Sequence, residues 1–185
     1  MGEIIAEQLR LNTGQELTIR TVVGGDAEAL LEIARAVLAE DFGNITTVDE
    51  FRIAVEQERE LIQEHSRHAG QIILVGELDG VVVGALWLRN SSRRRLQHRG
   101  VLNLSVQRQY RRRGIGAALL GALVRWAEQN PIIEKLTLGV LATNLPALAL
   151  YRKNGFVDEG RRIREVKMAD QQYVDDILMY KLVED

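Results

Sequence analysis

The stretch VQRQYRRRGIGAALLGAL, residues 106–123, decides the fold. It joins the end of an apolar run to four arginines, then to Gly114 and Gly116, and then to a helical repeat of leucines. A helix start exposes unpaired N–H groups and carries partial positive charge, and glycine lets an anion approach the main chain closely. The stretch therefore predicts a strand, a cradle for a phosphate or pyrophosphate, and a helix.

Three phosphate-binding patterns compete for this stretch. A nucleotide-hydrolysing P-loop requires Lys-Ser or Lys-Thr after the second glycine, and neither pair follows Gly116. A dinucleotide fingerprint requires a third glycine where this chain has Leu119, and the unit lies late in the chain. The pattern R-x-x-G-x-G/A fits Arg111, Gly114 and Gly116.

Composition limits the class of protein. The chain has 185 residues, 46% hydrophobic and 27% charged, which is typical of one soluble domain, 1–185, with residues 1–15 as an N-terminal extension. No apolar run approaches the roughly 18 residues of a membrane span, and MGEIIAEQLR does not resemble a secretory signal, so we expect a cytoplasmic location. The absence of cysteine excludes disulfides, thiolate–metal sites and an acyl-cysteine intermediate.

The charge is unevenly distributed, although the net charge is −2. No acid lies between Asp79 and Glu128, whereas the same stretch is rich in arginine. A positive region in a mildly acidic protein indicates an anionic partner, and nucleic acid, a membrane surface and a phosphorylated small molecule all remain open at this point. Whether Arg93–Arg95 contact a phosphate, contact an acidic substrate or are simply solvated stays open.

Hydrophobic periodicity and turn residues predict the order βααββ, then βαβα, then ββ, in a mixed α/β class with one sheet. Asp79-Gly80 predicts a tight hairpin turn, and Asp26 is suited to cap the first helix. The predicted strands are 16–22, 71–78, 81–89, 100–107, 135–141, 155–168 and 173–183, and the predicted helices are 27–40, 46–68, 114–130 and 146–156.

Two segments resemble the GCN5-related N-acetyltransferase (GNAT) family, of the bacterial small-molecule type. The first is LSVQRQYRRRGIGAALL. The second, NLPALALYRKNGFVDEG, carries the family's residues at seven positions: Asn144, Ala147, Leu150, Tyr151, Lys153, Gly155 and Phe156. The resemblance covers Leu17 to Val183. It implies a GNAT fold, with one central, mostly antiparallel mixed sheet of about six to seven strands and about four flanking helices.

The resemblance also implies the chemistry. The family transfers the acetyl group of acetyl-CoA to a primary amine by direct attack in a ternary complex, without a metal. Val106 would offer main-chain groups to the pantetheine arm and to the thioester carbonyl, and Asn144 would bind the arm. The backbone N–H groups from Arg112 to Ala117 would hold the pyrophosphate. The residues implied to bind acetyl-CoA are Val106, Arg111, Arg112, Arg113, Gly114, Ile115, Gly116, Ala117, Asn144 and Tyr151.

Tyr151 would protonate the departing thiolate, since a phenol with an ordinary pKa near ~10 keeps its proton at neutral pH. The alternative is that Tyr151 is a core aromatic. The general base is harder to identify, because the strand before the cradle has no acid. His98 is one candidate, unless it is a surface histidine; Asp175 and Asp176 are others, of which only one can face a site, and a water chain would also serve.

Two further histidines, His65 and His68, have a spacing that could hold a metal on a helix. Their position in QEHSRHAG favours a solvated helix end, so no metal is expected.

The acceptor is expected to be a small-molecule amine such as an amino acid, a polyamine or an antibiotic-like compound. The first alternative is a protein N-terminal or lysine acetyltransferase, and the second is a non-catalytic acyl-CoA-binding module. The net charge and the 5% aromatic content argue against nucleic acid, and no membrane partner is indicated. A homodimer through the C-terminal strands is a further partner that the resemblance allows.

Overall fold

The computed structural model describes residues 2–40, 44–168 and 171–183. Within these residues the chain forms eight strands and four α-helices. In chain order they are β1 (Glu7–Arg10), β2 (Glu16–Thr21), α1 (Ala27–Leu38), α2 (Val55–Arg67), β3 (Ile72–Leu78), β4 (Val81–Asn90), β5 (Arg99–Val106), α3 (Ile115–Glu128), β6 (Lys135–Leu141), α4 (Leu145–Lys153), β7 (Val157–Lys167) and β8 (Tyr173–Leu182). The predicted order and the mixed α/β class are confirmed, and the sheet has one strand more than the expected six to seven.

The additional strand is β1, which lies inside the segment 1–15 that was set apart as an extension. It pairs antiparallel with β2 from Glu7 opposite Ile19 to Arg10 opposite Glu16. Its sequence, EQLR, has a single aliphatic side chain, so periodicity alone does not reveal it.

The sheet has the strand order β1-β2-β3-β4-β5-β6-β8-β7. Neighbouring strands are antiparallel except β5 and β6, which run parallel and pair only from Arg99–Val101 to Lys135–Thr137. Beyond these three residues the two strands separate. We call the gap between 102–106 of β5 and 138–141 of β6 the splay.

Each face of the sheet carries one core. On the α3 face, α3 and α4 cover alternate residues of the strands, including Leu86, Leu102, Leu138 and Met179. On the α1 face, α1 and α2 cover the intervening residues of β3 and β4, such as Val75. Because side chains alternate along a strand, residues 103 and 105 of β5, 139 of β6 and 176 of β8 all lie on the α1 face.

Local chemistry sets several element boundaries. Asp79 and Gly80 both have positive φ, of 50° and 79°, which confirms the tight hairpin turn. The second helix begins at Val55 rather than Thr46, because the Gln57 side chain accepts a hydrogen bond from the Ala54 N–H and caps the helix there. Asp26 does not cap α1 with its side chain.

The carboxylate of Asp26 instead forms two hydrogen bonds with Arg20, at 2.7 and 2.9 Å, and accepts one from the Val23 N–H. Burial opposes the charge of Asp26, but the bonds from Arg20 and Val23 outweigh it, so the pKa of this carboxyl lies below its ordinary value. The first turn of α1 is thereby fixed to β2.

Candidate active site

A cavity of about 730 Å³ passes through the splay and is lined from both faces of the sheet. The α3 face contributes the start of α3 and the residues Leu150 and Tyr151 of α4. The α1 face contributes Val37 of α1 and Asn44. The walls between them are residues 102–106 of β5 and Gly139 of β6. Divergence of two parallel strands thus connects the two sides of the molecule.

The start of α3 has the backbone geometry that the sequence predicts for an anion cradle. Arg112 and Gly114 adopt left-handed φ values of 60° and 97°, which turn successive N–H groups toward one side of the chain. The first hydrogen bond of the helix runs from the Ala118 N–H to the Gly114 carbonyl, so the N–H groups of 115–117 precede the helical ladder. No side chain caps this end, and its first turn contains no acid. All three residues line the cavity, and the chemistry fits a pyrophosphate.

The two glycines of the cradle have different roles. A Cβ atom at position 114 would meet only a Leu11 side-chain carbon, at 3.8 Å, so space does not require glycine there. The left-handed backbone does, because residues with a Cβ rarely adopt it. Gly116 has ordinary helical geometry, but a Cβ would lie 3.1 Å from the Leu150 Cδ2 atom of α4. Gly116 therefore allows the close contact of α3 with α4, a role that the sequence motif does not indicate.

The arginines before the cradle point in different directions. Arg111 is bound on both sides: its Nε donates to the Val106 carbonyl at 2.9 Å, and its two terminal nitrogens donate to the Glu40 carboxylate at 2.7 Å each. The Arg113 side chain donates to the Gln15 side chain and the Gln109 carbonyl, and it does not line the cavity.

Two other arginines line the cavity with exposed side chains: Arg112, which the sequence indicated, and Arg108, which it did not. Neither forms an ion pair with a described acid. They are better placed than Arg111 or Arg113 to meet a phosphate with a side chain. Membership of the same arginine cluster was the signal that could have identified Arg108.

The end of β5 presents main-chain groups to the splay. The Gln107 N–H donates to the Val83 carbonyl, which makes residues 107 and 83 a hydrogen-bonded pair of the antiparallel ladder. Hydrogen-bonded and non-hydrogen-bonded pairs alternate along an antiparallel ladder, so Val106 and Gly84 form a non-hydrogen-bonded pair. The N–H and C=O of Val106 therefore point away from β4 and toward the splay. The Val106 carbonyl accepts the Arg111 side chain, so its N–H is the group left to face the cavity.

Tyr151 lies at the boundary between the core and the cavity. The residue is 6% exposed, and its ring meets that of Phe156 edge to face, with ring centres 5.6 Å apart. Its hydroxyl forms no hydrogen bond with a described residue, yet no buried side-chain oxygen or nitrogen of the described chain lacks both a partner and solvent. The hydroxyl therefore opens into the cavity. Burial raises the pKa of Tyr151 above its ordinary value, which keeps the phenol protonated at neutral pH.

Asn144 lines the cavity as the N-cap of α4. Its Oδ1 accepts a hydrogen bond from the Ala147 N–H at 3.3 Å, and Pro146 lies in the first turn of the helix. The side-chain oxygen is thus used within the fold, and its role toward a pantetheine arm stays a prediction.

The structure does not bring His98 to the cavity. It precedes β5 at the end opposite Val106, about 25 Å away along an extended strand of eight residues, and its carbonyl accepts the N–H groups of Glu134 and Lys135. The loop that contains Arg93–Arg95 is at the same far end. His98 and Val106 are therefore not brought to one site, because the length of β5 separates residues at its two ends even where they share a face.

His65 is buried, contrary to the solvated helix end expected from its sequence. Its Nδ1 donates to the Leu61 carbonyl at 2.8 Å and its Nε2 accepts from the Arg89 Nε at 2.9 Å. Burial lowers the pKa of His65, and the charge of Arg89 lowers it further. Across residues 2–40, 44–168 and 171–183, no group of three or more His, Asp or Glu side chains could hold a metal ion.

The two neighbouring acids of β8 have separate surroundings. Asp175 lies on the α3 face and pairs with Arg161 at 2.5 Å. Asp176 is buried on the α1 face beside Gly139, which lines the cavity.

Comparisons with known proteins agree with this geometry. Residues 33–156 match the model of the Acetyltransferase (GNAT) family. The chain belongs to the GNAT acetyltransferase family. It is 30% identical to the N-alpha-acetyltransferase of Sulfurisphaera tokodaii over 170 residues, which cover 88% of this chain and 89% of that protein. It is 28% identical to the L-amino acid N-acetyltransferase AaaT of Escherichia coli over 109 residues, 59% of this chain and 67% of that protein.

A solved structure shows the same GNAT fold. The acetyltransferase of the GNAT family from Streptococcus pneumoniae superposes with a TM-score of 0.85 at 28% identity, covering 91% of this chain and 99% of that chain. This GNAT protein is therefore an acetyl-CoA-dependent N-acetyltransferase, and the alternative of a non-catalytic binding module is set aside. In the part of the chain that the structure describes, no helix is both long and apolar enough to cross a membrane.

Proposed function

We propose that this enzyme acetylates an α-amino group, that of an amino acid or of the first residue of a peptide. The names of two relatives support this, since one is an N-alpha-acetyltransferase and the other an L-amino acid N-acetyltransferase. Both acceptors present a primary amine on a carbon that carries a carbonyl. The expected small-molecule acceptor and the peptide alternative thus share the chemistry that the site has to recognise.

The observation that carries the proposal is the passage of the cavity through the sheet. The cradle at the start of α3 opens on one face, and the wall formed by Asn103, Ser105 and Gly139 opens on the other. Two substrates can therefore approach the splay from opposite sides and meet there. This arrangement suits direct transfer in a ternary complex and gains rate from positioning.

The chain's own groups have separate tasks in this proposal. Bound acetyl-CoA supplies the thioester. The N–H groups of residues 114–117 hold its pyrophosphate, with Arg108 and Arg112 beside them. The Val106 N–H stabilises negative charge on the carbonyl oxygen, a contribution of ~3–4 kcal/mol in comparable sites. The Tyr151 hydroxyl donates a proton to the departing sulfur.

An amine panel with detection of released thiol tests the proposal. It includes free L-amino acids, a peptide with a free N-terminus, the same peptide with a formylated N-terminus and an internal lysine, and spermidine. We expect thiol release with the free α-amines and none with the formylated peptide, and mass spectrometry should locate the acetyl group on the α-nitrogen. Release with spermidine or the blocked peptide alone would overturn the proposal.

A further inference from the structure

The carboxylate of Asp176 occupies an unusual position next to the splay. Asp176 is 4% exposed, and a Cβ atom added to Gly139 would lie 2.8 Å from each of the two carboxylate oxygens of Asp176. The carboxylate therefore fills the space in which residue 139 would carry a side chain. Gly139 itself is exposed and lines the cavity. Asp176 does not itself line the cavity, but its buried carboxylate lies directly behind Gly139, where no side chain separates it from the cavity wall on the α1 face.

The partner of Asp176 is shared with another acid. The Arg162 Nη1 lies 3.3 Å from the Asp176 carboxylate and 3.5 Å from that of Glu165, and the Arg162 side chain is 54% exposed. Arg162 can therefore move toward Glu165 and still keep an ion pair. A buried charge without a partner is costly, so an incoming ammonium ion would be favoured at the place that Arg162 leaves beside Asp176.

We propose that Asp176 binds the ammonium form of the acceptor and accepts its proton before attack; this inference rests on the proposed function. An N–H bond of the ammonium breaks, its electron pair stays on nitrogen as the nucleophile, and the proton moves to an oxygen of Asp176. That proton passes to water through the open side of the cavity. The proposal supplies the base that neither β5 nor His98 provides.

The surroundings of Asp176 suit this exchange of a proton. Burial raises its pKa, which makes the carboxylate a stronger base than an exposed one. The charge of Arg162 opposes this rise and that of Glu165 adds to it, both from β7. Gly139 of β6 contributes no charge, and Asp175 of β8 points to the other face.

Asp176→Asn tests the inference, with Asp175→Asn as the matched control. The two variants lose the same charge from adjacent residues on opposite faces. We expect Asp176→Asn to lower kcat/KM for the amine by about 100-fold, in the range of a lost general base, and to leave the Kd for acetyl-CoA within twofold by calorimetry. Asp175→Asn should keep kcat/KM within twofold. A kcat/KM for Asp176→Asn within threefold of the native value would overturn the inference.

The pH profile separates proton transfer from a purely structural role. For the native enzyme kcat/KM should fall as the pH drops through the raised pKa of Asp176, because the protonated carboxyl accepts no proton. Asp176→Asn should lack this limb of the profile. An identical limb in the variant would contradict the role of Asp176 as a base.

Gly139→Ala, a substitution on β6, tests the same carboxylate without changing Asp176 itself. The new Cβ would have to displace the carboxylate, so kcat/KM should fall about tenfold with Asp176 still present. If Asp176→Asn does not bind acetyl-CoA, this variant decides, and an unchanged kcat/KM would overturn the inference. The native enzyme is assayed first on the whole panel, and the variants are compared on whichever amine it acetylates. A native enzyme that does not acetylate α-amines would contradict the proposed function. The comparison of the variants tests the role of Asp176 independently of that result.

Discussion

Tyr151 combines two environments in one side chain. Its ring packs against Phe156 in the core on the α3 face, and its hydroxyl opens into the cavity. The sequence left open whether Tyr151 is a core aromatic or a catalytic acid, and its position is compatible with both interpretations. A phenylalanine at this position would keep the packing of the ring and lose only the hydroxyl group.

We expect Tyr151→Phe to lower kcat by about 100-fold and to leave the Kd for acetyl-CoA nearly unchanged, because the variant keeps the ring and removes the acid. Steady-state thiol release and calorimetry measure the two quantities. Tyr180→Phe, the same change outside the cavity lining, is the control and should retain kcat. Equal rates for Tyr151→Phe and the native enzyme would show that another group protonates the thiolate.

Two glycines of α3 allow a matched test of backbone conformation. Gly114→Ala forces an L residue into a left-handed φ of 97° and should destabilise the fold by about 1–2 kcal/mol. Gly121→Ala lies in the helix interior, where a Cβ meets only the flexible end of Arg125 at 3.4 Å, and should stabilise by about 0.5–1 kcal/mol. Urea unfolding measures both, and changes of the same sign would contradict the explanation.

At the scale of elements, the end of α1 is tied to the turn before α3. Glu40, just beyond α1, holds Arg111 with two hydrogen bonds across 71 positions of sequence, and Arg111 in turn holds the Val106 carbonyl. One guanidinium therefore connects the helix on the α1 face, the end of β5 and the cradle.

A double-mutant cycle with Glu40→Gln and Arg111→Gln should give a coupling free energy of about 1 kcal/mol, since the pair is bidentate but partly exposed. Chemical denaturation of the native protein, the two single variants and the double variant measures this coupling. Glu32→Gln, an exposed change on α1, combined with Arg111→Gln should show additive effects. If the effects of Glu40→Gln and Arg111→Gln on the free energy of unfolding were also additive, the contact between Glu40 and Arg111 would not stabilise the native state.

At the scale of the whole molecule, the sheet separates two cores, and the splay joins the two sides. The α1 face also contains a buried polar cluster, in which His65 of α2 accepts from Arg89 of β4. Both nitrogens of the neutral imidazole are used, so a second proton on His65 would face the guanidinium directly. Packing of α2 on the sheet therefore depends on a neutral histidine.

The stability of the fold should accordingly fall as the pH drops below about 6.5, the ordinary pKa of an unfolded histidine. The folded pKa of His65 is lowered, so between the two values the unfolded chain binds more protons and is favoured by acid. Urea unfolding over a pH series measures this slope. His65→Gln should flatten the slope in this range. The same slope in native protein and His65→Gln would assign it to other groups.

The sequence by itself determined the order of elements, the cradle at Gly114 and the family. These features depend on local causes: the left-handed preference of glycine, the free N–H groups of a helix start, the period of apolar residues and two motifs of contiguous residues. It failed on β1, because four residues with one aliphatic side chain carry no detectable period. It predicted that α2 begins at Thr46 rather than Val55, because a capping side chain is a weaker signal in the sequence than a helical repeat of apolar residues.

Only the tertiary structure decided which side chains meet at the splay. It placed His98 and the Arg113 side chain outside the cavity lining, placed Arg108 within it, and put Asp176 and Asp175 on opposite faces of the sheet. The physical reason is that contacts such as Glu40 with Arg111, or Gly139 with Asp176, join residues far apart in the chain. Strand register and the divergence of β5 from β6 set these contacts, and no short segment of sequence contains that information.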